Sequence, residues 1–343
     1  MPLPLVFPVA RYRFQFIAEQ PVQLPDYAGS ALRGVFGHAL RAAACVTGLP
    51  DCSPCALYRS CPYPAIFETP PPLNYPRRKL SNIPQPFVVE PPPWGESSYP
   101  AGSVLSFDSV LIGPALQQMP LLLLAWRHAL QRGLGPQQGR ARLTQLWLEG
   151  DAEPLLGGGS GSGSGGDNGS GSDSSIGGGS DRDGDAASAG RWALRPHPQS
   201  LALPPPEAAP ASVSLHFSTP LRLQRDGQVL GAGHLTPRDL LMALLRRTAQ
   251  LVELQLGSTL DVDFAALNAH ASTVTGEHQL VWRDWSRNSS RQQQRMVLGG
   301  LVGRWTLRGD LAPFWPLLHL GQWLHVGKNT TFGLGRYHLE PSA

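Results

Sequence analysis

Apolar and polar positions alternate over Arg11–Ala18, Ser103–Ile112 and Arg142–Leu148, a period of two that predicts strands. Pro86–Glu90 reads as a shorter strand, while Ser30–Ala44 and Leu116–Arg132 show the 3.6-residue spacing of amphipathic helices. The same order recurs further on. Val213–Leu223 predicts a strand and Pro237–Leu256 a long helix, followed by strands at Gln279–Trp285 and Met296–Arg308, a helix at Leu311–Leu324 and a strand at Phe332–Glu340. Each half therefore reads β-α-β-β-α-β, the ferredoxin-like arrangement also used by RNA-recognition modules. The expected fold class is α+β, with two such domains in tandem.

Between the halves, residues 157–190 are almost entirely Gly, Ser and Asp, and a proline-rich stretch from Pro196 to Pro210 follows. Such a segment buries too little apolar area to offset the entropy of ordering, and it predicts a flexible tether reaching roughly 30–35 Å. The expected organisation is a first domain over 1–150, a disordered linker over 151–211 and a second domain over 212–343. The 343 residues suffice for two cores. Net charge is only +3, but nearly all the positive charge is arginine, the side chain suited to bidentate phosphate contacts and to stacking on bases. The N-terminus lacks the order of a signal peptide, and Leu121–Leu124 is far too short to span a bilayer. A soluble, cytoplasmic protein without membrane association is expected.

The densest candidate chemistry lies near the C-terminus, where Gly327, Lys328, Thr330, Thr331, Gly333, Gly335 and Arg336 crowd one turn. Glycines let a polyanion approach backbone N–H groups, and the two cations supply charge. A Walker A loop is excluded by its glycine spacing and because this turn runs from helix to strand. In the same domain, Arg283, Arg287, Arg291 and Arg295 alternate with Trp282, Trp285 and several amides in the link between two strands. That mixture suits a nucleic-acid backbone with stacked bases, although a merely soluble hairpin would look similar. On the first helix, Leu32, Val35, Phe36, Ala39, Leu40 and Ala43 form an apolar face, and Arg33, Gly34, Gly37, His38 and Arg41 lie opposite. His38 is placed to give or take a proton near a phosphodiester, or is simply a solvated histidine on a polar face. His319 and His325, on an apolar helix beside tryptophans, are expected to serve packing.

All four cysteines, Cys45, Cys52, Cys55 and Cys61, fall within seventeen positions with the spacing C-x₆-C-x₂-C-x₅-C. In a cytoplasmic chain this pattern points to a structural zinc site, closed and non-catalytic. An iron–sulfur cluster uses the same ligands, and two disulfides are the alternative disfavoured by compartment.

The chain resembles the CRISPR repeat-processing endoribonucleases of the RAMP superfamily, the variant carrying a four-cysteine cluster. The resemblance rests on Leu32-Arg33-Gly34-Val35-Phe36-Gly37, on the cysteine cluster with Pro62-Tyr63 and Phe67-Glu68 after it, and on Pro86-Phe87-Val88. It continues through Leu298-Gly299-Gly300-Leu301-Val302-Gly303, Asp310-Leu311 and Gly327-Lys328 to Gly333-Leu334-Gly335. It implies tandem ferredoxin-like domains and RNA cleavage without a catalytic metal, by attack of a ribose 2′-hydroxyl to leave a cyclic phosphate. Many members use a histidine on or near the first helix, which is the place of His38. Arg33 and Arg41 would then stabilise the phosphorane, and Tyr27 would orient the attack. The implied partners are CRISPR repeat RNA and subunits of a CRISPR effector complex, with a homodimer as a compatible state. A non-catalytic RAMP subunit that holds guide RNA, and a zinc-containing nucleic-acid-binding module, are the rival readings.

Overall fold

The computed structural model describes residues 6–73, 83–157, 194–289 and 294–340. The first domain is built from β1 (Val9–Ala18), α1 (Gly29–Ala44), a short α2 (Pro62–Phe67), β2 (Phe87–Glu90), β3 (Val104–Ile112), α3 (Met119–Arg132) and β4 (Ala141–Leu148). Its antiparallel sheet has the order β2-β3-β1-β4. The second domain uses β5 (Ser212–Leu221), α4 (Pro237–Gln255), α5 (Phe264–Ala271), β6 (Thr275–Ser289), β7 (Gln294–Arg308), α6 (Trp315–Leu324) and β8 (Tyr337–Glu340). Its sheet order, β6-β7-β5-β8, repeats that of the first. Both are split β-α-β units in which the strand after the helix skips one neighbour, as the ferredoxin-like reading expects.

Alternation along β1 explains the first core. Tyr12, Phe14 and Phe16 are buried on the face that meets α1 and α3, where Phe36 stacks on Trp126 at 4.6 Å. The opposite face is buried too, and this is what joins the domains. Val9, Val88, Val110 and Ile112 belong to the same apolar cluster as the helices of the second domain. Polar side chains on that face therefore lose water and need partners, which the site below supplies.

α4 starts where the sequence signals it. Thr236 accepts from the Asp239 N–H, the Asp239 carboxylate accepts from the Thr236 N–H, and Pro237 occupies the first turn. Three expectations need correction. The ordered chain extends into the expected linker: Leu155 and Leu156 are buried, Leu201–Ala202 pairs with Val6–Phe7, and Tyr12 Oη lies 2.9 Å from His197 Nε2. Leucines scattered among the prolines find apolar cover, so composition alone misplaced both ends; residues 158–193 of the tether lie outside the described residues. The last strand begins at Tyr337 rather than Phe332, because the glycine-rich turn occupies the preceding residues. The helix Phe264–Ala271, capped by the Asp263 carboxylate, was not foreseen, since its apolar moment is weak.

A candidate nucleic-acid groove between the domains

α1 and α4 face each other across a groove of about 1690 Å³. From α1 it takes Ser30, Ala31, Gly34, Val35 and His38, spaced three and four apart along one helical face. From α4 it takes Arg238, Met242, Arg246, Arg247 and Gln250, again one face, while Leu240, Leu241, Leu244 and Leu245 point into the core. Lys328, Asn329, Thr330 and Thr331 of the glycine-rich turn and Trp285 of β6 also line it. The cations Arg33, Arg222, Arg225, Arg238, Arg246, Arg247 and Lys328 outnumber Asp226 and Asp239 among the described lining residues, and Asp239 is already paired with Arg225. Such a trough concentrates positive potential where a polyanion would lie.

Two side chains on the groove wall are partly stripped of water without full compensation. Arg247 donates Nε–H to the Leu324 carbonyl at 2.8 Å, but its Nη2 is buried with no hydrogen-bond partner, and burial pulls its pKa down to about 10. Trp285 is buried with its Nε1–H likewise unpartnered. Both unused groups are donors, so the partner each lacks is an acceptor. The arginines of α4 were missed in the sequence; their only signal was spacing on the polar face of a long helix.

The predicted site residues divide. His38 is exposed on the groove wall, and Lys328, Gly327, Thr330 and Thr331 share the groove with it. Arg33 lines it as well, with its guanidinium 4.1 Å from the Phe67 ring and Nη2 donating to Gln85 Oε1 at 3.2 Å. Tyr27 reaches the groove but is buried; its hydroxyl donates to the Phe332 carbonyl at 2.7 Å, and burial pushes its pKa well above 10. It clasps the two domains and is badly placed to exchange a proton. Arg41 turns away altogether. Its Nη2 donates to the Leu49 and Pro50 carbonyls and its guanidinium lies 5.9 Å from the Tyr63 ring, so it fastens the cysteine loop to α1.

Three further residues of the glycine-rich turn serve the fold. A Cβ on Gly335 would stand 1.9 Å from the Val326 carbonyl oxygen, and on Gly333 2.6 Å from that of Val89; both residues have positive φ. These glycines are required by the turn's own backbone contacts rather than by ligand approach. Arg336 pairs with Glu90 at 3.3 Å and approaches Asp108 at 3.9 Å, away from the groove lining. Arg283 lies 4.4 Å from the Trp94 ring, beside rather than in the groove. The side chains of Arg287 and Arg295, and all of Arg291, lie outside the described residues.

Glu90 is the centre of a buried ion cluster at the domain junction. Arg11 Nε lies 3.0 Å from Glu90 Oε2, and His325 Nε2 lies 2.7 Å from Oε1. Burial works against the Glu90 carboxylate, but Arg11, His325 and Arg336 overcome it and hold its pKa at about 2. His325, expected to serve packing alone, is in fact this ion cluster's contact from α6; burial lowers its own pKa.

The four cysteines form no disulfide and line one small cavity, with Thr47 Oγ1 3.8 Å from Cys45 Sγ and 3.6 Å from Cys55 Sγ. The Gly48 N–H and Thr47 draw the Cys45 thiol pKa down. Four convergent thiols form the donor set a soft tetrahedral cation takes, although no three of them are gathered as closely as shared ligands would be.

Comparisons with known proteins bear on the fold of the chain. Residues 215–337 match the model of the family described as CRISPR-associated endoribonuclease Cas6, and residues 7–162 match a family described as an N-terminal domain. No curated protein matches the chain. Among solved structures, a Thermus thermophilus Cas6 in a product complex is 17% identical, with a TM-score of 0.53 over 97% of this chain and 100% of that one. A chain of a partial Cas6-RT-Cas1–Cas2 complex is 14% identical with a TM-score of 0.54, covering 97% of this chain and 46% of that one. The likeness is one of fold, two sheet-bearing halves in tandem along nearly the whole chain. No described helix is long and apolar enough to cross a membrane.

Proposed function

We propose that this protein cleaves CRISPR repeat RNA without a catalytic metal, by attack of a ribose 2′-hydroxyl on the adjacent phosphate. The observation that carries the reading is the meeting of His38 on α1 with the arginines of α4 and with Lys328 in one groove. RNA would lie along this trough, held by phosphate contacts to Arg246, Arg247 and Lys328. His38 would take the proton of the attacking hydroxyl or return one to the leaving oxygen, and a neighbouring cation such as Arg33 would offset charge on the phosphorane. The products would be a 2′,3′-cyclic phosphate and a 5′-hydroxyl end.

The cysteine cluster would hold structural zinc and brace the loop that Arg41 ties to α1. Cytoplasmic CRISPR effector subunits are the expected protein partners, with a homodimer compatible with the fold.

The test is incubation of the purified full chain with the repeat RNA of its host in excess EDTA, followed by analysis of the ends, with circular dichroism to follow folding. A single cut leaving a cyclic phosphate is expected. Tight binding with no cut by folded protein would replace the enzyme with a non-catalytic RNA-holding subunit. Absence of binding would overturn both.

A further inference from the structure

The face of the second sheet turned away from its helices carries a group of side chains that the groove does not use. His216 on β5 stands directly opposite His338 on β8, and the two rings lie 4.9 Å apart. Glu340 follows His338 by two residues, so the pleat returns it to the same face. One ring nitrogen from each histidine and one Glu340 oxygen all lie within 4.8 Å of one another, the single such triad among the described residues. His338 Nε2 is 3.4 Å from Glu340 Oε1.

We propose that His216, His338 and Glu340 bind a divalent transition ion of the zinc class. Two imidazoles and one carboxylate are the donors such an ion takes, at about 2.0–2.2 Å per bond, and tetrahedral geometry then sets ligand atoms about 3.3 Å apart. The observed spread closes to that by small side-chain rotations. His216 Nδ1 is buried without a hydrogen-bond partner, so this ring has a nitrogen that nothing in the protein satisfies. Arg304 pairs with Glu340, which at first opposes a cation there. Its contact is with Oε2, however, and leaves Oε1 on the side of His338. Arg304 thus orients the ligand from behind, the role outer-sphere partners play at metal sites. A bound ion would cross-link β5 to β8, the short strand that anchors the glycine-rich turn, and would stabilise their pairing by mass action.

The experiment is calorimetric titration of the metal-stripped full chain with zinc chloride, beside the variant H216A/H338A. Neither histidine touches the groove, so the variant should keep RNA binding. The wild type is expected to take up one equivalent more than the variant, with any zinc bound at the cysteines common to both. Equal stoichiometry would overturn the proposal. If the double variant fails to fold, Glu340→Gln is titrated instead, with at least tenfold weaker binding at this one site expected and unchanged affinity overturning it. Imidazole nitrogen resonances give an independent reading in the wild type. Both rings should shift together at the same zinc ratio, and two unmoved rings would equally sink the idea.

Discussion

His38 and Tyr27 both line the groove, yet their surroundings give them opposite chemistry. His38 is exposed, so a substrate phosphate and water can both reach its ring. His38→Ala is expected to reduce the single-turnover cleavage rate by about 10²–10⁴-fold while leaving repeat binding within a factor of a few. A rate within threefold of wild type would remove His38 from the mechanism. Tyr27, with a buried hydroxyl already donated to Phe332, should behave as structure. Tyr27→Phe should cost about 1 kcal/mol in denaturant unfolding and leave the pH–rate profile in place. Loss of a limb of that profile would return Tyr27 to the proton relay. Neither outcome is legible in the sequence, where both residues are simply polar groups near the first helix.

At the scale of the element, α4 turns one helical face to the core and the other to the groove, and its arginines act as a row. Arg247 is the informative one, because its Nη2 is buried and unpartnered within the protein. Arg247→Met keeps the length of the side chain and removes the charge. It should weaken repeat binding by about 1.5–3 kcal/mol and lower the slope of log affinity against log salt by about one. An unchanged slope would place the RNA elsewhere. The glycine-rich turn is an element of another kind. In the sequence its glycines read as room for a polyanion at the backbone, but Gly333 and Gly335 are there because β-carbons would collide with carbonyls of Val89 and Val326. Gly335→Ala should therefore destabilise the whole fold, seen as a lower melting temperature, rather than weaken RNA binding selectively. Glycine composition is the same signal in both cases, which is why the sequence could not separate them.

The whole molecule is held together by packing one sheet face of the first domain against helices of the second, with charges buried in the seam. Glu90 comes from β2 and His325 from the end of α6, 235 positions later. Because the folded pKa of Glu90 is depressed to about 2 from an ordinary 4.5, its contribution is whole above about pH 4.5 and is lost as pH falls toward 2. The shift corresponds to about 3 kcal/mol. Glu90→Gln should therefore flatten the decline of unfolding free energy between pH 5 and 3, as measured by urea titration, and lower stability at pH 7. A variant with the wild-type acid slope would show that Glu90 is already protonated in the folded protein. The close approach of the domains depends on small residues as well: a Cβ on Gly29 would lie 1.9 Å from the Phe332 carbonyl oxygen.

Hydrophobic periodicity is a local property, and by itself it determined the two β-α-β-β-α-β halves and the helix that presents His38, while residue spacing alone marked the cysteine cluster. Burial, partner and direction of each charged side chain depend on residues brought together across the fold, and only tertiary structure decided those. Arg33 and Arg41 lie on one helix and look equivalent in sequence, yet one lines the groove and the other holds a loop. Lys328 and Arg336 flank one turn, yet one meets the groove and the other a buried carboxylate. The reason is physical. Period and propensity act over a few neighbouring residues, whereas desolvation and Coulomb pairing are set by whatever the folded chain places within a few ångströms.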